Sequence, residues 1–276
     1  MSGNERKILK PVGGVIPYSA LEWKGGGCMV VFFRGCNFRC PWCHNPALLS
    51  FTVDQDEQLG LAHDLDLIWG ELARVNEWVD GVVLSGGEPT LWGDLCAKVA
   101  LKIREEFPGL KVLLDTNGSR PDVLKVLLRD QLVDGIRMDV KADPANPGEF
   151  SWVCGGIDGE LVRNVRNSID LLASWDWEGE VVFRTTVLPG YNYAYLRRIL
   201  SYLEKRGVSP TQFYLNPFRF TGVRISRSWL DDCHRRWGSS AVATEAQVRE
   251  WEWALQKGES AFSKASHPEE YSKRVG

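Results

Sequence analysis

The sequence predicts an α/β protein built on a parallel sheet, and two observations carry that reading. Short, continuous apolar runs recur along the chain, bounded by glycine or polar residues, as strands buried on both faces require. Between them lie segments of helical length with apolar residues three and four apart. The alternation repeats six times. Strands joined through helices in this way form right-handed βαβ units, which pack as a parallel sheet flanked by helices.

The first run is Cys28-Met29-Val30-Val31-Phe32-Phe33, between Gly27 and Gly35, with Gly25-Gly26-Gly27 as a loop ahead of it. Further runs are Val82-Val83-Leu84, Lys111-Val112-Leu113-Leu114, Gly135-Ile136-Arg137-Met138, Val181-Val182-Phe183-Arg184 and Gln212-Phe213-Tyr214-Leu215. Helical spacing is clear in Leu65, Ile68, Leu72 and Val75, and again in Leu161, Val165, Ile169 and Leu172. Past Phe220, the segment Val248-Arg249-Glu250-Trp251-Glu252-Trp253-Ala254-Leu255 reads as an amphipathic helix that either caps the sheet or meets a partner. From Gly258 on, the residues are small and polar, as in a loosely held tail. Parallel βα architectures carry their ligand-binding loops at the carboxyl ends of the strands. The runs themselves are therefore core, and the residues just past them are the candidates for function.

At 276 residues with 44% hydrophobic content, the chain can bury one large core, and no linker or repeat divides it. A formal charge of −3 gives no electrostatic case for nucleic acid or an anionic membrane as partner. Local basic pairs such as Arg235-Arg236 read as solvated surface. No apolar run approaches the roughly 20 residues that span a bilayer. The expected location is the cytoplasm, where reducing conditions keep thiols free. Seven cysteines, an odd number, and no secretory leader argue in the same direction, against disulfides.

Three of those cysteines fall within eight residues: Cys36, Cys40 and Cys43 in Arg34-Gly35-Cys36-Asn37-Phe38-Arg39-Cys40-Pro41-Trp42-Cys43-His44. Gly35 and Pro41 allow such a loop to turn its side chains inward onto one centre. Thiolates are soft ligands and select iron–sulfur clusters or zinc over magnesium or calcium. Three are one too few to close a four-cysteine site, so the metal keeps one position open unless another group fills it. A structural zinc site that adds His44 as fourth ligand is the alternative from spacing alone.

The C-x3-C-x2-C spacing with an aromatic before the last cysteine resembles the cluster loop of the radical S-adenosylmethionine (SAM) superfamily. Gly86-Gly87-Glu88-Pro89, after the run ending at Ser85, resembles that superfamily's GGEP motif, and Asp115-Thr116-Asn117-Gly118 and Asp139-Val140-Lys141 follow in the matching order. With Pro17-Tyr18-Ser19, Asn45-Pro46 and Thr90, the frame from Val12 to Phe220 is similar to the activating proteins of anaerobic ribonucleoside-triphosphate reductases. The resemblance implies a partial (βα)6 barrel, open on one side in the manner of an unclosed TIM barrel, with a C-terminal helical extension. The implied domains are a lead-in over 1–24, the core over 25–220, and the extension with its tail over 221–276.

By the same resemblance, Cys36, Cys40 and Cys43 hold three irons of a [4Fe–4S] cluster and SAM binds the fourth. Gly86, Gly87, Glu88 and Pro89 form the segment that meets the SAM amino group, with Glu88 organising the loop. Lys141 and Arg184 face the SAM carboxylate, while Asp115, Thr116, Asn117 and Asp139 supply the surrounding polar shell. Arg184 sits inside an apolar run and needs a counter-charge in any case. Trp42 lies near the adenine, Asn37 and Arg39 shield the cluster, and His44 is not a ligand. Cys28, Cys96, Cys154 and Cys233 lack a paired spacing and read as inert buried thiols.

The activity implied is reductive cleavage of SAM to a 5′-deoxyadenosyl radical that takes hydrogen from a glycine of an anaerobic ribonucleotide reductase. The electron would come from a flavodoxin- or ferredoxin-type donor. The alternatives are a radical SAM enzyme acting on a small molecule or on another glycyl-radical enzyme, and a zinc-stabilised binding module. One departure stands out: where some activating enzymes carry Pro-Tyr-His after the last strand, this chain reads Asn216-Pro217-Phe218-Arg219.

Overall fold

The computed structural model describes residues 7–54, 61–220 and 225–258. Its strands are β1 (Lys7–Leu9), β2 (Val12–Ser19), β3 (Cys28–Phe33), β4 (Thr52–Asp54), β5 (Gly81–Gly86), β6 (Lys111–Thr116), β7 (Gly135–Asp139), β8 (Glu180–Val187) and β9 (Phe213–Pro217). Its helices are α1 (Leu61–Val75), α2 (Gly93–Glu106), α3 (Pro121–Arg129), α4 (Pro147–Val153), α5 (Gly159–Ser174), α6 (Tyr193–Glu204), α7 (Arg227–Trp237) and α8 (Glu245–Lys257). The six expected runs are β3, β5, β6, β7, β8 and β9, parallel and adjacent in that order.

A seventh strand, β2, joins antiparallel to β3 and makes one edge of the sheet. Pro17-Tyr18-Ser19, expected ahead of the first strand, ends this one instead. Its sequence hides it: Gly13, Gly14 and Pro17 interrupt any apolar run, and the pairing slips register twice, as an edge strand tolerates. β1 and β4 form a separate two-stranded ribbon.

Alternation along each parallel strand divides the core in two. Met29, Val31 and Phe33 of β3, Val82 and Leu84 of β5, and Val112 and Leu114 of β6 face the helices and pack with Ile68, Leu72, Val99 and Ile103. Their neighbours Cys28, Val30, Val83 and Leu113 turn to the other face and form a small interior cluster with Trp23 and Phe32. A sheet with helices on one face and its own side chains on the other is a curved, barrel-like wall.

The wall stays open, since β2 and β9 are edges and do not pair. Lys24, in the loop from β2 to β3, reaches over the Tyr214 ring of β9 at 3.9 Å. α8 covers the free edge of β9: the Leu215 N–H donates to Glu252 Oε2 at 2.5 Å, and Gln256 Nε2 donates to the Phe213 carbonyl at 3.1 Å. Of the two roles open to this helix, capping the sheet is thus observed. Thr244 and Gln247 close its start with a reciprocal capping box. The polar tail expected from Gly258 on falls, beyond Gly258 itself, outside the described residues. Among those described, no helix is long and apolar enough to cross a membrane.

Candidate functional site

β3 ends at Phe33, and the cysteine loop that follows is pinned by backbone hydrogen bonds from Arg34 to Pro11 and from Gly35 to Leu48, both 2.7 Å. The Cys43 N–H donates to the Cys40 carbonyl at 3.1 Å, folding the second half into a tight turn. All three loop cysteines line one cleft of about 190 Å³ at the carboxyl ends of the strands. Trp42, Gly86, Gly87, Glu88, Asp115, Thr116, Asn117, Asp139, Lys141 and Arg184 line it with them. Only Pro89 of the expected set stands apart, buried in the 3-10 turn behind the cleft.

The Cys36 sulfur has two donors. Cys36 Sγ accepts from the Phe38 N–H at 3.4 Å and from Asn117 Nδ2 at 3.8 Å. The Arg39 N–H donates to the Cys154 carbonyl at 3.0 Å, tying the loop to the end of α4. Burial pushes the Cys36 thiol up to about 12 and Cys43 upward as well, so binding a metal here displaces protons.

This donor set fits a cluster. Its ligand atoms are soft sulfurs, and that of Cys36 already accepts two hydrogen bonds. Among the described residues, no three His, Cys, Asp or Glu side chains converge tightly enough to hold a single ion. His44 is exposed at the rim of the cleft, with Nε2 against the Arg219 carbonyl at 3.0 Å.

Strand register builds the other wall. Asp115 of β6 lies beside Arg137 of β7, and Asp139 of β7 beside Arg184 of β8. Arg137 Nη2 contacts Asp115 Oδ1 at 2.7 Å, and Arg184 Nη1 contacts the same oxygen at 3.2 Å. Arg184 Nη2 then meets Asp139 Oδ1 at 2.9 Å, and Lys141 Nζ meets Asp139 Oδ2 at 3.1 Å. Ser85 Oγ donates to the remaining Asp115 oxygen at 3.0 Å. Signs alternate from Arg137 to Lys141 through three cations and two carboxylates, leaving one positive charge in surplus.

Burial alone would push the Asp139 carboxyl up, but Arg184 and Lys141 outweigh it and hold it at about 2. Burial likewise opposes the charge on Lys141, and Asp139 reverses that, raising it above the usual lysine range. Lys141 Nζ also stands 5.1 Å from the Trp42 ring centre. Trp42 is buried, with Nε1 donating to the Val153 carbonyl at 3.0 Å. A surplus cation at a water-poor rim is a receptor for one anionic group.

Glu88 ties the loops together. Its Oε1 accepts from Thr90 N, Thr90 Oγ1 and Thr116 Oγ1 at 3.2, 2.5 and 2.8 Å, and its Oε2 from the Asn117 N–H at 2.6 Å. Burial pushes this carboxyl upward against those four donors. The glycines before it serve the same junction: Gly87 and Glu88 donate backbone hydrogen bonds to Phe33 and Gly35, both 2.8 Å. Gly86 has φ +126°, and a Cβ there would stand 2.2 Å from the Phe33 carbonyl, so only glycine fits.

Arg137, Ser85 and Cys154 were not singled out by the sequence as parts of this site. The signal for Arg137 was present, since Arg137 and Asp139 alternate with apolar residues at strand period. Cys154 gave none, being joined to the cysteine loop only by tertiary packing. Asn37 and Ser119 complete the wall with Asn117, whose amide donates to Asn37 Oδ1 at 3.0 Å.

The family model described as the radical SAM superfamily matches residues 30–203. A protein named as a glycyl-radical enzyme activating enzyme in Methanocaldococcus jannaschii is 32% identical over 164 residues, covering 58% of this chain and 62% of its own length. A 7-carboxy-7-deazaguanine synthase of Methanopyrus kandleri is 33% identical over 159 residues, covering 50% and 61%. Among solved structures, anSMEcpe with bound AdoMet and a Cp18Cys peptide aligns with TM-score 0.47 and 17% identity, covering 67% of this chain and 48% of that one. The chain thus matches about six tenths of the length of these two curated relatives.

Proposed function

Because the chain belongs to the radical SAM superfamily, a family that implies a [4Fe–4S] cluster and SAM, we propose that it is an activating enzyme that installs a glycyl radical on a partner protein, an anaerobic ribonucleotide reductase. Cys36, Cys40 and Cys43 hold the cluster by three irons, and a flavodoxin- or ferredoxin-type protein delivers the electron. Cluster and SAM together supply, when bound, reductive cleavage of a sulfonium bond and a 5′-deoxyadenosyl radical able to take hydrogen from glycine. The domain limits follow the same reading, with the core over 25–220 between the lead-in and the helical extension.

The observation that carries the reading is the cleft's pair of walls: three cysteines on one loop, facing a row of alternating charges that ends on the Lys141 cation. A zwitterionic amino acid matches that asymmetry. Its carboxylate completes the alternation at Lys141 and Arg184, and its amino group finds acceptors along Ser85 and Gly86. Asp115 and Asp139 keep both cations ionised and aimed, so orientation precedes any chemistry. Glu88, Thr116 and Asn117 fix the Gly86–Pro89 segment relative to the cysteine loop. Trp42 and Phe38, both buried, keep water from the floor beneath the cysteines.

Anaerobic reconstitution with iron and sulfide tests the first half: a brown protein whose EPR spectrum changes on adding SAM is expected, and a colourless zinc protein refutes it. Incubation with SAM, a reductant and the reductase then yields a glycyl EPR doublet. SAM cleavage without that doublet rejects the activating role. The deazaguanine synthase match supports a second reading, a small-molecule substrate on the same scaffold. Formation of a 7-carboxy-7-deazaguanine product with no radical on the reductase would select it.

A further inference from the structure

The paired residues of β7 and β8 end at Asp139 and Arg184, so Lys141 lies past the ladder and the sheet does not hold its backbone. Two buried tyrosines that do not line the cleft grip this stretch instead: Tyr191, just before α6, and Tyr195, in its first turn. The Tyr191 hydroxyl donates to the Lys141 carbonyl at 2.9 Å. The Tyr195 hydroxyl accepts from the Asp143 N–H at 3.1 Å and donates to Glu149 Oε1 at 2.6 Å. Their ring centres are 4.3 Å apart.

The C-terminal extension closes over both rings. Trp237, the last residue of α7, meets the Tyr191 ring edge-on at 4.7 Å and the Tyr195 ring at 5.7 Å, and its indole donates to Glu149 Oε2 at 3.3 Å. Past α7, the Ala241 carbonyl accepts from the Gly190 N–H at 2.8 Å. The approach is so close that a Cβ on Gly190, at φ +90°, would lie 2.3 Å from the Ser239 carbonyl.

We propose that Tyr191 is a positioning residue for ligand binding: its hydroxyl holds the backbone of Lys141 so that the ammonium meets the carboxylate of SAM, and Trp237 of the extension keeps the tyrosine in place. The inference rests on the function proposed above, in which Lys141 meets that carboxylate. A lysine side chain is long and rotamer-rich, so placing its charge costs entropy unless the surroundings have already fixed it. Asp139 and the Trp42 ring hold the tip of this one, at 3.1 and 5.1 Å. Tyr191 holds the root. Its hydroxyl meets only main chain, outside the cleft, so any effect on a bound ligand passes through Lys141.

The test is anaerobic equilibrium binding of SAM to the reconstituted full-length protein, comparing wild type, Tyr191→Phe, Lys141→Met and the double variant. Tyr191→Phe keeps the ring against Trp237 and removes only the hydroxyl. It is expected to weaken SAM by about 3- to 10-fold, the range one hydrogen bond spans, with iron content and far-UV circular dichroism as in wild type. In the Lys141→Met background the same change is expected to have no further effect, because no ammonium is left to place. Decarboxylated SAM, which lacks the group Lys141 meets, is expected to bind wild type and Tyr191→Phe equally. A Tyr191→Phe protein that binds SAM as tightly as wild type overturns the proposal. So does an equal loss in both backgrounds or with both ligands, since the hydroxyl would then support the cleft in general. A Tyr191→Phe protein that fails to fold or to take up iron overturns it too, by making the hydroxyl part of the core. Wild type that binds no SAM, or Lys141→Met that binds it as tightly as wild type, fails at the earlier step and refutes the reading of the cleft itself.

Discussion

Replacing Asp115 by Asn removes the carboxylate on which two arginines converge. Arg137 and Arg184 approach the same oxygen at 2.7 and 3.2 Å, so their contacting nitrogens are at most about 6 Å apart. Their side chains are 8% and 17% exposed, which limits screening by solvent. At an effective dielectric of about 20, two unit charges about 6 Å apart repel by roughly 3 kcal/mol. Breaking a buried pair by removing one partner costs about 3–5 kcal/mol in general, in line with that figure. Asp115→Asn is therefore expected to lower stability by about 3–5 kcal/mol. Adding Arg137→Met removes the opposed cation and should restore roughly 2–3 kcal/mol of the loss. The assay is anaerobic urea denaturation of wild type, both single variants and the double variant, followed by circular dichroism. A single Asp115→Asn cost below about 1 kcal/mol, the value of a surface pair, would refute the array as a buried electrostatic unit. A double variant less stable than Asp115→Asn alone would refute the pairing.

Three further outcomes follow from the same geometry. Glu88→Ala strands the Asn117 and Thr90 N–H groups and is expected to cost about 2–5 kcal/mol, with Glu88→Gln near 1–3 because only the Asn117 contact becomes donor against donor; equal losses in urea melts would contradict this. Gly155→Ala forces a side chain into a left-handed backbone position against the Arg39 carbonyl, so stability should fall by at least about 1–3 kcal/mol, and iron uptake with it; an unchanged melt and full iron content would contradict the tie between the cysteine loop and α4. Asp139 is held at about 2 when folded and returns to about 3.9 when unfolded. Its contribution is thus fully present above about pH 4 and is lost as pH falls toward 2. Asp139→Asn should flatten the fall in urea midpoint across that window, and a slope identical to wild type would exclude it.

The six parallel strands and the cleft at their carboxyl ends were legible because continuous apolar runs mark doubly buried strands. β2 was not, since an edge strand has one exposed side and its glycines and proline obey the hairpin rather than the core. Arg184 was read as needing a counter-charge, and register supplies two, Asp115 and Asp139. Arg137 lies inside an apolar run that reads as core, although its period-two relation to Asp139 carries the information. Gly86 and Gly87 were assigned to ligand approach; the structure adds a reason from within the chain, as a Cβ on either would strike the backbone of Phe33 or Gly35. Cys154 lies far from Arg39 in the chain, and no local pattern can announce the backbone contact between them that forms on folding.

Five ionised groups in a buried row are a poor way to stabilise a barrel, since well-packed apolar residues in their place are often equal or better by about 1–4 kcal/mol. The apolar cluster of Cys28, Val30, Val83 and Leu113 directly below them shows that this interior accepts such packing. Polarity therefore begins at one level of the wall, set by where Asp115 pairs with Arg137, and extends only toward the cleft. The apolar floor lowers the local dielectric and strengthens every charge above it. With the surplus cation at the open end, at Lys141, the array is least stable when that end is unpaired and gains most when an anion meets it. Under the proposed function, the energy lost in burying these charges returns as selectivity for a ligand with a carboxylate at one end, held opposite the three cysteines.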